Sequence, residues 1–188
     1  MGETAMSSLH TILILAVAFL LVFAESTVGG LRRVLGAQVE LLPSLMIYAG
    51  LTTGLPTVTL LAIAGGLWLD SLSANTLGIS VLPLFMVGLI IQRYRGLILK
   101  EQRFAQMVIG ASASGAVPLM TLVLLLNTER QPLLGWISIW QLLVMAVAGG
   151  IVTPIWFRLF GWLENKFIYR SLGETSFRSD REIKRGRV

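Results

Sequence analysis

The chain has 188 residues, 55% of them hydrophobic and 13% charged, with a mean hydropathy of +0.78 and a formal net charge of +5. Soluble domains carry about 25% charged residues, so the composition excludes a soluble globular domain and indicates an integral membrane protein. With no cysteine and one histidine, structural disulfides, thiolate metal sites and cysteine nucleophiles are excluded as well.

Uncharged runs cover residues 4–24, 41–69, 71–92, 104–128 and 131–157, each at or above the roughly 18–20 residues that cross a bilayer. They predict an all-α polytopic membrane protein of six transmembrane helices, at about 8–27, 38–54, 56–72, 77–95, 104–126 and 134–161. The first run has Glu3 and His10 but no Lys or Arg ahead of it, and no small-residue cleavage pattern behind it. It therefore reads as a retained span, not a secretory signal, with His10 an interfacial polar residue.

The second and third helices divide at Thr52-Thr53-Gly54-Leu55-Pro56, where a glycine suits a turn and a proline suits a first helical turn. One span over 41–69 would be about 43 Å long at 1.5 Å per residue, against a hydrocarbon core near 30 Å. The third helix ends with Asp70, the only charge between Glu40 and Arg93. A lone carboxylate in apolar sequence must reach water or be held by protein partners. Two readings fit it: termination of the helix together with Ser71, Ser73 and Asn75, and contact with a partner near a membrane surface that water reaches.

The fourth connection runs from Arg93 and Arg95 to Lys100 and Arg103 with an apolar middle. It suits a cytoplasmic interface, with basic side chains at lipid phosphates, or a loop that only sets topology. Small residues four apart at Gly50/Gly54, Ala62/Gly66, Ala111/Gly115 and Ala146/Gly150 permit close helix packing within the bundle. Gly149-Gly150 followed by Pro154 indicates a bend or tight crossing in the last helix. Trp136, Trp140, Trp156 and Trp162 suit interface anchoring. Residues 1–163 form the membrane domain on this reading, and 164–188 a basic cytoplasmic tail.

Six helices place twelve of the fifteen Lys and Arg residues on one side and three, Arg32, Arg33 and Arg130, on the other. Both termini are then cytoplasmic. Five helices divide the charges fourteen to one, which the charge rule alone prefers; the length argument favours six. Basic tails on membrane proteins follow from topology, so nucleic-acid binding is not indicated.

Catalysis finds little to work with. There is no paired intramembrane carboxylate, no nucleotide-binding loop, and no second chemical group beside Glu25, Glu40 and Asp70, which six helices gather near the outer face. No enzyme, cofactor or metal is expected.

The run Leu42-Pro43-Ser44-Leu45-Met46-Ile47-Tyr48, with Gly66, Asp70, Ser73, Leu77 and Gly78 in the order G-x-x-x-D-x-x-S-x-x-x-L-G, resembles the bacterial rod shape-determining MreD family. Pro154 to Arg158 extends the likeness loosely. Ala74 stands where that family commonly has a glycine. The resemblance implies a non-catalytic inner-membrane component of the cell-elongation machinery, working beside MreC, with MreB inside and the peptidoglycan glycosyltransferase and transpeptidase at the membrane. Pro43, Tyr48, Gly66, Asp70, Ser73, Asn75, Leu77 and Gly78 become the motif and partner-contact candidates, and Arg93, Arg95, Lys100 and Arg103 the cytoplasmic interface. The implied fold looks like the S components of energy-coupling-factor vitamin transporters, which also supplies the alternative function: a vitamin-binding subunit using Glu25, Gln38, Glu40, Asp70 and Asn75.

Overall fold

A computed structural model describes residues 2–27, 39–73, 76–96, 98, 102–127 and 135–173. Among the described residues there are six helices and no strand: α1 Gly2–Thr27, α2 Leu42–Thr52, α3 Leu55–Leu72, α4 Val81–Tyr94, α5 Arg103–Asn127 and α6 Trp136–Gly173. Four segments are long and apolar enough to cross a membrane, namely Ser8–Thr27, Leu55–Leu72, Arg103–Leu126 and Ser138–Leu163. α2 and α4 are apolar but shorter, at 11 and 14 residues.

Residues up to Trp156 form one compact unit, and Phe157 onward a second. At the centre of the first is α2, every residue of which from Leu42 to Leu51 is buried. It packs on α1, α3, α4 and α5. A helix apolar on all sides needs such surroundings. Pro43 occupies its first turn, where a missing N–H costs no helical bond. At the other end the Thr52 and Thr53 hydroxyls donate to the carbonyls of Tyr48 and Ala49, at 2.7 and 2.6 Å.

α3 buries Val58, Leu61, Ala62, Gly65, Gly66 and Leu69 at three- and four-residue intervals, the periodicity of one helical face. Leu60, Ile63 and Leu67 stand exposed between them. α4 likewise buries Leu84, Val87, Gly88 and Ile91 and exposes Leu82, Met86, Leu89 and Ile90. Glycines set the separations. A Cβ on Gly88 would lie 2.6 Å from Val58 Cγ1, and one on Gly50 would lie 3.1 Å from Ile91 Cγ2.

α5 and α6 cross in closest approach at Gly110 and Gly149. A Cβ on Gly149 would overlap Ser114 and come within 2.8 Å of the Gly110 carbonyl. The anticipated pairs Ala111/Gly115 and Ala146/Gly150 do face each other, but more loosely, a Cβ on Gly115 falling 3.7 Å from the Ala146 Cβ. α6 continues through Pro154. In the second unit Lys166 Nζ lies 4.7 Å from the centroid of the Trp162 ring.

Several expectations need correction. Trp156 is not an interface anchor: it is buried, and its indole N–H donates to Ser44 Oγ at 2.9 Å, while Trp136, Trp140 and Trp162 are exposed. The fourth helix starts at Val81 and not at 77, because residues 77–80 form a turn. The last helix passes 161 to Gly173, since a helix does not have to stop where its apolar run does. Arg32, Arg33, Gln38, Asn75, Lys100, Arg130 and the residues beyond 173 lie outside the described residues.

Candidate functional site

The turn between α3 and α4 is organised by one side chain. Asp70, in the last turn of α3, is 1% exposed. Its Oδ2 accepts the backbone N–H groups of Gly78 at 2.8 Å and Ser80 at 3.1 Å, and its Oδ1 accepts the Ser80 hydroxyl at 2.6 Å. Charge-assisted bonds of this kind are about twice as strong as neutral ones, and the start of α4 adds the positive end of a helix dipole. Three donors inside the chain therefore hold the carboxylate.

The surrounding motif residues have separate tasks. Gly66 lets α3 lie on the start of α4: a Cβ there would sit 2.9 Å from Val81 Cα and 3.0 Å from Val81 N. Ser73 closes α3, its N–H and hydroxyl both donating to the Leu69 carbonyl, at 3.0 and 2.7 Å. Gly78 has φ +89°, in the left-handed region that glycine enters without a Cβ penalty. Its carbonyl accepts the Val81 N–H at 3.3 Å. Leu77, next to it, is 68% exposed.

No atom lies within 4 Å of a Cβ built on Gly78, so its replacement is a pure backbone test. Gly78→Ala is expected to lower stability by about 1–2 kcal/mol, the usual cost of a left-handed conformation for an L-residue. Gly78→Asn should cost less, because asparagine visits that region more readily. Thermal unfolding of the two variants in one detergent gives the order.

Other named residues lie elsewhere. Pro43 and Tyr48 belong to α2, and the Tyr48 hydroxyl is 3.3 Å from His10 Nε2. Arg93, Arg95 and Arg103 are exposed at the end of α4 and the start of α5. Arg95 Nη1 donates to the Thr53 carbonyl at 3.3 Å, tying the end of α4 to the α2–α3 turn.

The three acidic residues do approach one another. Glu25, near the end of α1, accepts the Leu41 N–H on its Oε1 at 2.7 Å, beside Glu40. Glu40 precedes α2 and is half-buried.

Sequence reasoning missed Ser80, which supplies two of the three donors to Asp70. Its usable signal is a serine immediately ahead of the apolar run of α4, a common sign of a helix start. No group of three or more His, Cys, Asp or Glu residues with metal-binding geometry occurs among the described residues. Comparison with models of known families, with curated proteins and with solved structures gives no match to this chain.

Proposed function

We propose that this chain is a non-catalytic scaffold of the bacterial inner membrane of the MreD type, with both termini cytoplasmic. On this reading it holds a single-span MreC-like partner, while MreB, the glycosyltransferase and the transpeptidase assemble around the pair. The observation that carries the reading is the use made of the motif. Gly66, Asp70 and Gly78 are absorbed in building one turn, and the only carboxylate of α3 is engaged by three donors of the same chain. A side chain so engaged serves shape in preference to turnover or ligand exchange. Partner contact then falls to the surface that the turn presents, and Asp70 acts on it from beneath.

The vitamin-binding alternative draws less support. Of its five polar residues, Glu25 is bonded to Leu41 N–H and Asp70 to its own turn, while Gln38 and Asn75 lie outside the described residues.

Co-purification of the tagged chain with an MreC-like protein from membranes tests the proposal. The wild-type chain should retain the partner, and Asp70→Ala should retain several-fold less at equal expression. Absence of the partner from the wild-type sample contradicts the scaffold reading. So does a saturable, micromolar shift of the unfolding temperature by a vitamin.

A further inference from the structure

Two stretches of the chain repeat each other. Thr11, Leu15, Ala16, Ala18 and Leu21 in α1 recur at the same spacing as Thr57, Leu61, Ala62, Ala64 and Leu67 in α3, with Val17 matched by Ile63. An acid and a serine follow in both, Glu25-Ser26 after Leu21 and Asp70-Ser71 after Leu67. The next helix then opens alike, with Leu42-Pro43-Ser44-Leu45-Met46-Ile47 in α2 and Leu82-Pro83-Leu84-Phe85-Met86-Val87 in α4. Leucine and alanine recur by composition alone in an apolar chain, so a repeat of this kind needs support from the fold.

The fold pairs the matching positions. Thr11 and Thr57, the aligned threonines, share a hydrogen bond between their hydroxyls at 2.8 Å. Further along, Phe19 meets Trp68 edge-on with ring centroids 5.2 Å apart, so α1 and α3 run side by side in one direction. α2 and α4 do the same: Met46 Sδ lies 2.8 Å from a Cβ built on Gly88, and Ile91 Cγ2 3.1 Å from one built on Gly50. Two consecutive hairpins in parallel orientation account for both pairings.

The acids agree in use as well. Asp70, in the last turn of α3, accepts the Ser80 N–H three residues ahead of Pro83 at 3.1 Å. Glu25, near the end of α1, accepts the Leu41 N–H two residues ahead of Pro43 at 2.7 Å. The first N–H groups of a helix have no acceptor within it, and in both hairpins the long helix supplies one. Asp70 also holds the Gly78 N–H and the Ser80 hydroxyl, whereas position 41 is a leucine with no hydroxyl to offer.

We propose that α1–α2 and α3–α4 are two copies of one helical hairpin, and that Glu25 is the positioning residue of the first, fixing the start of α2 as Asp70 fixes the start of α4. Each acid bears on its own short helix.

Site-resolved amide hydrogen exchange on the full-length protein in nanodiscs tests this. Glu25→Ala should speed exchange of the Leu41 amide by at least about tenfold, the effect of losing one bond to a carboxyl group, while Gly78 and Ser80 change by less than about twofold. Asp70→Ala should do the reverse. Glu25→Asp draws the carboxyl group back by one methylene and should speed Leu41 exchange by a smaller factor, so the test stands even if the alanine variant does not fold. Unchanged Leu41 exchange in the Glu25 variants overturns the positioning role. A rise at Leu41 as large in Asp70→Ala as in Glu25→Ala overturns the two-copy reading, because the acids then act as one cluster.

Discussion

Asp70→Ala is expected to lower the stability of the folded chain by about 3–5 kcal/mol, among the largest effects a single substitution produces. The alanine removes the acceptor for two backbone N–H groups and one hydroxyl. Each donor left unsatisfied away from water costs about 1–3 kcal/mol, and relaxation of the turn keeps the total below the simple sum. Asp70→Asn retains one oxygen acceptor but turns an NH2 group toward a donor, so an intermediate loss of about 1–3 kcal/mol is expected. Thermal unfolding of the three proteins in the same detergent gives the ranking wild type, Asn, Ala. Equal stability of all three would mean that the carboxylate does not hold the turn.

The second large effect concerns the crossing of α5 and α6. Gly149→Ala places a methyl group into Ser114 and against the Gly110 carbonyl. Neither is the end of a flexible side chain, so α6 must move away from α5. Overpacking of this kind costs about 1–3 kcal/mol, despite alanine's helix-propensity advantage of about 1 kcal/mol over glycine. Gly115→Ala is the matched control on the opposite helix, since its methyl would meet Ala146 Cβ at an ordinary 3.7 Å. There the propensity gain should prevail, leaving stability unchanged or slightly raised. Opposite signs at the two glycines in thermal unfolding support the crossing register; equal losses contradict it.

These two predictions also mark how far the sequence alone reaches. The six helices were legible because charge interrupts each apolar run, and the break before Pro56 was legible because a single span was too long. Asp70 stood out through its isolation. Its principal partner did not: Ser80 lies ten residues on, inside the fourth helix predicted at 77–95, and only the folded turn brings the two together. The close crossing was visible as a Gly149-Gly150 pair, but one residue rotates a helix face by about 100°. Sequence could not decide that Gly149 makes the tightest contact while a Cβ on Gly150 would meet the Met107 carbonyl at 3.1 Å. Trp156 misled for a related reason. Its place near a basic helix end matches a membrane belt, whereas its N–H finds a buried hydroxyl on α2.

The claim on which the rest stands is that the Asp70 carboxylate is consumed within the chain, closing the α3–α4 turn. Amide hydrogen exchange at Gly78 and Ser80, measured on the full-length protein in nanodiscs, tests it directly. In the wild type both amides should be protected to a degree comparable with the interior of α4, and in Asp70→Ala their protection should fall by at least a hundredfold while that of mid-α2 changes far less. Rapid exchange of both amides in the wild type, or protection unchanged by the substitution, would contradict the account.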